Sequence, residues 1–323
     1  PTPGDDVDVA AYTAPMAQGS TSAFLLFMFA RLTGLLPWRA LHALGDLLAG
    51  FWQGRNARES RVAMRGLALA FPDMPENERQ TLHEAALKST GRQTFETLRI
   101  WTRPAANSLS MLDEGPGVAL FDAALASGRG LIVAAPHHGN WELLNRWLAK
   151  KTPLAILYAP PESPVVDAFL RRVRRSQGDE GRVEQIRAEG IGIRQLFKRL
   201  QAGGVVGILP DQQPKQGDGV WAPFFGVPAS TMTLIGRLAE RTHADVLYAW
   251  CERQGDGPRF TLHVEAAPSG IASADALASA TALNAGIESL VRRSPAQYQW
   301  TYKRWSQQPE GSALGNPYWP DCY

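Results

Sequence analysis

The sequence has few cysteines, little net charge and no long uninterrupted apolar run. Cys251 and Cys322 are its only cysteines among 323 residues, which excludes a disulfide-rich scaffold and a zinc module built from several cysteines. Its 33 lysines and arginines nearly balance 31 aspartates and glutamates, and a formal charge of +2 argues against a protein that coats nucleic acid by bulk charge. Neither G-x-S-x-G nor G-x-x-x-x-G-K-[ST] occurs, which argues against a serine hydrolase elbow and a P-loop.

The N-terminal quarter of the chain carries its own signals. Residues 1–20 contain three aspartates and no lysine or arginine, unlike a secretory signal or a transit peptide, and we expect a disordered extension. Two apolar stretches follow. The first covers 23–30 and ends at Arg31, and the second covers 38–52. Arginines come just after them at 55, 58, 61 and 65. This order favours helices lying in an anionic membrane surface. A short membrane span and two core helices with a solvated basic face are the alternatives.

From about residue 114 the chain alternates short apolar runs with helical stretches. Buried strands are predicted at 131–135, 154–158, 205–209, 245–250 and 260–264. Strands alternating with helices predict an α/β sheet with helices on both faces. A long helix from about 274 to 293 is predicted, with Ser273 as its N-cap. The chain therefore divides into an extension (1–20), a helical membrane-associated region (21–110), an α/β domain (111–310) and a tail (311–323).

The segment 136–142 (PHHGNWE) lies between a predicted strand and a predicted helix, where sites gather in α/β sheets. With a helix beginning near Asn140, Glu142 lies in its first turn and can reach back to the imidazole of His137. That contact would fix one tautomer and leave the other ring nitrogen as a general base. The pattern therefore predicts a site that activates a hydroxyl.

Other interpretations of this segment stay open on the residues alone. Glu142 could serve only as a helix-terminal acid beside a structural His137. A zinc site could use His137 and His138, with His243 or His263 as a further ligand, although no H-E-x-x-H occurs.

Four further blocks accompany PHHGNWE in a fixed order. They are 61–72 (RVAMRGLALAFP), 158–174 (YAPPESPVVDAFLRRVR), 209–212 (LPDQ) with 220–226 (VWAPFFG), and 299–305 (QWTYKRW). Together the five blocks resemble the bacterial lipid A late acyltransferases, the lauroyl/myristoyl group within the lysophospholipid-acyltransferase-like superfamily, over roughly residues 22–310. Gly66 and Val173 stand where that family usually has Asn and Gly, while Glu142 keeps its H-x4-E form.

The resemblance implies a fold, a reaction and partners. The fold would be α/β, a glycerol-3-phosphate-acyltransferase-like mixed sheet flanked by helices, with an N-terminal helical membrane-associating segment. The reaction would move a fatty acyl chain from an acyl carrier protein thioester to a hydroxyl of a lipid A precursor, in lipopolysaccharide biosynthesis. It would take place at the cytoplasmic face of the bacterial inner membrane, with no cofactor, no metal and no nucleic acid. His137 and Glu142 would be its catalytic dyad.

Three alternatives stay open. An acyltransferase of the same superfamily could act on another glycolipid, an aminolipid or a polyene lipid. A zinc-dependent hydrolase and a membrane-associated binding protein with an inactive site are the alternatives of another class.

Acyl transfer develops an oxyanion that needs fixed donors. The candidates are Arg174, Arg172 and the backbone N–H groups around Gly139, with Arg174 placed first. A solvated helix face and a docking patch for the acidic carrier protein are the alternatives for these arginines. Asp211 follows a predicted strand and is expected to position an arginine or a sugar hydroxyl, or to be a turn residue.

The remaining predicted contacts are with substrate. The candidates are Asn140, Gln212, Gly219, Phe224 and Phe225. The last two are core side chains in the alternative interpretation. Phosphates on the acceptor and on the phosphopantetheine of the donor suit arginine, but sequence does not say which arginines converge.

Overall fold

A computed structural model describes residues 16–158, 161, 163–175, 182–188, 190–215 and 217–323. Side chains are described for these residues except 16–20, 171, 174 and 175. The predicted extension therefore falls mostly outside the described residues, and the side chain of Arg174 falls outside them as well.

A helical front precedes the sheet. Its helices are α1 (Met16–Thr33), α2 (Trp38–Gly54), α3 (Arg58–Ala70), α4 (Glu76–Thr102) and α5 (Ala105–Leu109). Helices α2 and α4 meet backbone to backbone, because a Cβ atom at Gly91 would lie 2.3 Å from the carbonyl oxygen of Gly45. Arg99 donates to the carbonyls of Gly34 and Leu36 and so ties the turn between α1 and α2 to α4.

The α/β part begins with a short strand at Leu112. In chain order its elements are β1 (Leu112–Glu114), α6 (Val118–Ser127), β2 (Leu131–Ala134), α7 (Trp141–Lys151), β3 (Leu154–Tyr158), α8 (Pro164–Arg175), β4 (Val183–Arg187), α9 (Gly190–Gln201), β5 (Val205–Ile208), β6 (Gly219–Phe224), β7 (Val227–Met232), α10 (Leu234–Thr242), β8 (Asp245–Arg253), β9 (Phe260–Ala266) and α11 (Ala276–Arg293).

Seven of these strands form one mixed sheet, in the order β1-β9-β8-β2-β5-β3-β4. Strand β2 pairs in parallel with β5 and β8, whereas β9 runs antiparallel to β8. Strands β2 and β5 are buried at every residue, as expected for apolar runs covered by helices on both faces. The mixed α/β sheet expected from the sequence is therefore confirmed.

The structure differs from the sequence prediction in several elements. β1, β4 and the β6–β7 hairpin were not predicted. The predicted N-cap of the last long helix, Ser273, is wrong: α11 begins at Ala276, and the carboxylate of Asp275 accepts from the N–H groups of Leu277 and Ala278. Asp275 offers an ionised oxygen at the positive end of the helix, which the macrodipole favours.

Large apolar side chains are exposed on the helical front. They form what we call the N-terminal apolar patch: Phe24, Leu25, Phe29, Leu32, Leu35, Leu36, Leu47 and Phe51. Across the described residues, no single helix has the length and apolar character of a membrane span. The pair Thr21–Thr33 and Trp38–Gly54, bent by 119°, satisfies that criterion only when taken together.

Candidate active site

His137 and Asp211 meet at the carboxyl edge of the sheet because β2 and β5 are parallel neighbours. Ala134, which ends β2, lies opposite Ile208, which ends β5, and each side chain follows its strand by the same number of residues. The carboxyl ends of parallel strands are where α/β folds place their sites. The pairing of these two strands therefore brings together His137 and Asp211, which are far apart in the sequence.

The carboxylate of Asp211 holds His137 at two points. Its Oδ1 lies 2.8 Å from the imidazole Nδ1, and its Oδ2 accepts from the backbone N–H of His137 at 2.9 Å. Asp211 is buried, whereas 12% of the His137 side chain is exposed. Burial by itself raises the pKa of Asp211, but the charge and hydrogen bonds of His137 outweigh it and leave that pKa below its usual value. An ionised Asp211 thus stands behind an accessible imidazole.

The contacts of the imidazole favour one tautomer. An ionised Asp211 can only accept, so Nδ1 carries the proton. The amide Nε2 of Gln212 lies 3.2 Å from the other ring nitrogen, Nε2, and can donate to its lone pair. The edge of Trp141 packs against the ring, with centroids 4.8 Å apart. The imidazole is therefore fixed with an unprotonated Nε2, as a general base requires.

His138, the other histidine of the segment, has a different environment. It is fully buried, and neither ring nitrogen has a hydrogen-bond partner among the residues that the structure describes. Burial lowers the pKa of His138 to about 4, against the opposing effect of Glu252 and Asp211. A neutral, enclosed imidazole cannot meet a substrate, so His137 is the candidate base.

Glu142 lies in the first turn of α7, as predicted, and is buried. The sequence interpretation made it the partner of His137, whereas the geometry gives the Nδ1 position to Asp211. Arg146, also buried, follows Glu142 by one helical turn. The role of Glu142 in catalysis stays a prediction.

The backbone around Gly139 is already engaged. Gly139 has φ +61, and a Cβ atom there would lie 2.0 Å from the carbonyl oxygen of Cys251. Its N–H donates to Gln297, the N–H of Asn140 donates to Cys251, and that of His138 donates to Pro136. Each of these amides therefore has an internal acceptor in this structure, and their role as oxyanion donors stays a prediction.

Asn140 is a structural residue of the site loop. Its Oδ1 accepts from the N–H of Leu143 and caps α7, and its Nδ2 donates to Glu96 at 3.2 Å. Glu96 is fully buried and also binds His42 at 2.8 Å and Arg253 at 2.6 Å. Asn140 thus belongs to a polar network that joins α2, α4 and β8 to the site loop, and its predicted contact with substrate stays a prediction.

Glu96→Gln is expected to lower the free energy of unfolding by about 3–5 kcal/mol, because it leaves the buried charge of Arg253 uncompensated. Burial raises the pKa of Glu96, but Arg253 and His42 outweigh it and lower that pKa from 4.5 to about 2. The stabilisation is thus present above pH 4.5 and lost as the pH falls toward 2. Urea unfolding at pH 7 and pH 3 should show a smaller loss with acid for Glu96→Gln than for the native chain.

The control for this variant is Glu78→Gln, an exposed carboxylate on the same helix. It is expected to change the free energy of unfolding by less than about 1 kcal/mol. Equal effects of the two substitutions would contradict the role given to the network.

The other predicted residues fall at different places. The guanidinium of Arg172 lies over the rings of Phe24 and Phe27 of α1, at 5.1 and 4.7 Å. Phe224 and Phe225 are buried in the core, which favours the core alternative for both. Gly219 packs closely under the loop that follows Asp211, since a Cβ atom there would lie 2.6 Å from Pro214.

Two buried residues lie beside Asp211: sequence reasoning missed Tyr298 and counted Arg304 only among the arginines available to phosphates. Tyr298 is buried next to this carboxylate, and burial with the Asp211 charge raises its pKa well above 10. Arg304 is buried nearby and donates to the carbonyl of Ser230 and the hydroxyl of Thr231. Arg304 belongs to block 299–305, which was a usable signal, and Tyr298 directly precedes it.

The described residues contain no group of three or more His, Cys, Asp or Glu side chains placed to hold a metal ion. The site thus consists of a buried carboxylate, an oriented imidazole and an adjacent amide at the edge of an α/β sheet. The geometry of this candidate site suits proton abstraction from a hydroxyl.

The sequence model of the bacterial lipid A biosynthesis acyltransferases matches residues 16–307, and the chain belongs to this family of acyltransferases. It is 26% identical over 277 residues to the lipid A biosynthesis lauroyltransferase of Escherichia coli K12, covering 85% of this chain and 88% of that one. It is 24% identical over 279 residues to the palmitoleoyltransferase of lipid A biosynthesis from the same organism, covering 86% and 89%.

One relative whose name gives a different lipid is similar to part of the chain. The phosphatidylinositol mannoside acyltransferase of Mycobacterium tuberculosis is 30% identical over 183 residues, covering 55% of this chain and 57% of that one.

Proposed function

We propose that this acyltransferase moves a fatty acyl chain from an acyl carrier protein thioester to a hydroxyl of a lipid A precursor, with His137 as general base and Asp211 as the residue that orients it. The observation that carries the proposal is the 2.8 Å contact between Asp211 and Nδ1 of His137, in a chain of this family. It leaves Nε2 as the basic atom.

The acceptor hydroxyl gives its proton to Nε2 of His137 while its oxygen attacks the thioester carbonyl. The C–S bond breaks, an ester C–O bond forms, and the leaving thiolate takes the proton from the imidazolium. Asp211 stabilises that imidazolium by charge, and Gln212, 3.2 Å from Nε2, lies where the hydroxyl must approach and can hold it or the developing oxyanion.

Two assignments from the sequence remain in the proposal as competitors. The His137–Glu142 dyad competes with His137–Asp211, and substitution of each carboxylate in turn separates the two. Arg174 remains the first candidate among the arginines for oxyanion stabilisation.

The acceptor is tested by comparing lipids. We expect labelled acyl groups to move from the carrier protein to a lipid A precursor and not to a phosphatidylinositol mannoside, the acceptor class named for the mycobacterial relative. Transfer to the mannoside alone would place the acceptor among other glycolipids while keeping the reaction. Loss of thioester without any acylated lipid would contradict the transferase proposal.

We further propose that the N-terminal apolar patch lies in the cytoplasmic face of the inner membrane, where the acceptor lipid is embedded. Half of the exposed large apolar side chains of the described residues lie between Phe24 and Phe51. Arg31, Arg39 and Arg55 accompany them, and Arg55 lies over the ring of Phe51 at 5.6 Å. Apolar side chains bordered by arginines suit an anionic bilayer surface.

The double variant Leu47→Glu/Phe51→Glu is expected to bind vesicles of phosphatidylglycerol and phosphatidylethanolamine about tenfold or more weakly than the native chain, because each apolar side chain contributes to insertion. Sedimentation with vesicles measures this. The matched control is Leu277→Glu, an exposed leucine at the start of α11, which should leave binding unchanged. If the double variant bound vesicles as tightly as the native chain does, the N-terminal apolar patch would not be the membrane contact.

A further inference from the structure

A cavity lies apart from His137, among α3, the start of α4 and the C-terminal residues. Its volume is about 580 Å³, within the range of small-molecule sites. The segment 298–305 separates it from the active site: the N–H of Gln299 donates to the carbonyl of His137, while the ring of Trp300 faces Gly66 of α3. The cavity is thus separate from the candidate active site.

Arginines dominate the charge of this cavity. Arg61, Arg65 and Arg79 line it, against the carboxylates of Glu76 and Asp321. Arg61 and Arg65 are one helical turn apart on α3, and like charges at this spacing destabilise a helix. A bound anion would relieve this repulsion between Arg61 and Arg65 on the cavity wall.

Backbone carbonyls orient the two arginines without neutralising them. Arg61 donates to the carbonyls of Asp321 and Asn56, and Arg65 donates to that of Pro317 at 2.7 Å. In the part of the chain that the structure describes, neither guanidinium has an ion pair, whereas Arg79 pairs with Glu76. The charges of Arg61 and Arg65 are therefore available to an anion.

The rest of the lining suits a hydroxylated ligand. The imidazole of His83 is buried in the wall, where its Nε2 contacts the hydroxyl and the carbonyl of Ser60, another lining residue. Gln53 and Asn56 add side-chain amides. Trp319 stands at the rim with 67% of its surface exposed and contacts Tyr323 edge to face at 5.3 Å. An exposed indole offers an apolar face with a polar edge, which a sugar ring can stack on.

We propose that this cavity binds a sugar phosphate, with the phosphate monoester held by Arg61 and Arg65 and the sugar between Trp319 and the polar wall. Arginine forks match phosphate oxygens, and the cavity is much larger than a phosphate alone. The site is independent of the proposed acyl transfer. His137→Ala should bind the ligand as the native chain does, so failure of one proposal is distinguishable from failure of the other.

Isothermal titration of the full chain with glucose 1-phosphate, inorganic phosphate and glucose tests this site. We expect saturable binding of glucose 1-phosphate, weaker binding of inorganic phosphate and none of glucose. Arg61→Gln/Arg65→Gln should weaken glucose 1-phosphate binding about tenfold or more, because hydrogen bonds to a charged group are lost. Trp319→Ala should weaken glucose 1-phosphate binding and leave phosphate binding unchanged.

Matched variants keep the test decisive. Arg61 and Arg65 also donate to carbonyls of the C-terminal residues, so their substitution could disturb the fold there. Glu76→Gln is therefore measured as well. It removes a cavity carboxylate and should tighten binding severalfold. Arg58→Gln, on the same helix but outside the cavity, should bind as the native chain does. Native affinity in the double arginine variant, weaker binding by Glu76→Gln, or equal affinity for phosphate and glucose 1-phosphate would overturn the proposal.

Discussion

His137→Ala is expected to lower kcat/KM for acyl transfer by roughly 10²–10⁴-fold, the usual contribution of a positioned general base. The side chain is small and partly exposed, so the fold should survive its loss. Steady-state transfer of labelled acyl groups from acyl carrier protein to a lipid A precursor measures the effect.

The control for that variant is His138→Ala, which removes the neighbouring histidine. His138 is buried in the wall of the site, and we expect its substitution to reduce stability more than the rate of the folded enzyme. Near-native turnover by His137→Ala, or loss of turnover by folded His138→Ala, would move the base away from His137.

Asp211→Asn is expected to reduce kcat by about 10² or more while leaving KM for the carrier protein nearly unchanged. The amide cannot carry the charge that stabilises the imidazolium, and it can present its N–H to Nδ1 and favour the wrong tautomer. Because the carboxylate also accepts from the backbone N–H of His137, the matched variant is Asp211→Glu, which keeps the charge but moves the carboxylate by one methylene.

Glu142→Gln distinguishes the two candidate orienting carboxylates. If Asp211 is the partner of His137, Glu142→Gln should retain far more activity than Asp211→Asn in protein of equal thermal stability. The opposite order would restore the His137–Glu142 dyad expected from the sequence. Equal and large losses from both would mean that the two carboxylates act together, and the double variant would then lose little more than either single one.

Sequence alone located His137 and Asp211 at strand ends but did not pair them. Their contact depends on β5 lying beside β2, although β3 and β4 come between these strands in the chain. Local apolar runs predict where strands occur and not which strands are neighbours. The sequence therefore favoured Glu142, five residues from His137, as its partner. Asp211 lies 74 residues away in the chain.

Strands without a plain apolar signal escaped prediction. β4 reads VEQIR and is only partly buried, and the β6–β7 hairpin contains Pro223 and Pro228. Proline in a strand argues against that assignment unless the strand lies at an edge. The network around Glu96 was equally hidden, because its partners His42 and Arg253 lie 54 and 157 residues away in the sequence.

The helical front was better specified by its sequence. Leu41, Leu44 and Leu48 recur at helical spacing and so share one face of α2, and Pro72 lies between α3 and α4. This spacing does not show what covers the apolar side chains that point outward, because a protein core and a membrane are equally apolar. Vesicle binding is the property that separates them.

The measurement that tests the central claim most directly is mass spectrometry of the lipid product. Purified chain, an acyl carrier protein thioester and a lipid A precursor are incubated together, beside His137→Ala and Asp211→Asn. We predict that the precursor gains one acyl group as an ester, that one carrier thiol is released for each acyl group gained, and that both variants form product far more slowly. A precursor that stays unmodified while the thioester is consumed, or an equal yield from His137→Ala, would contradict the account.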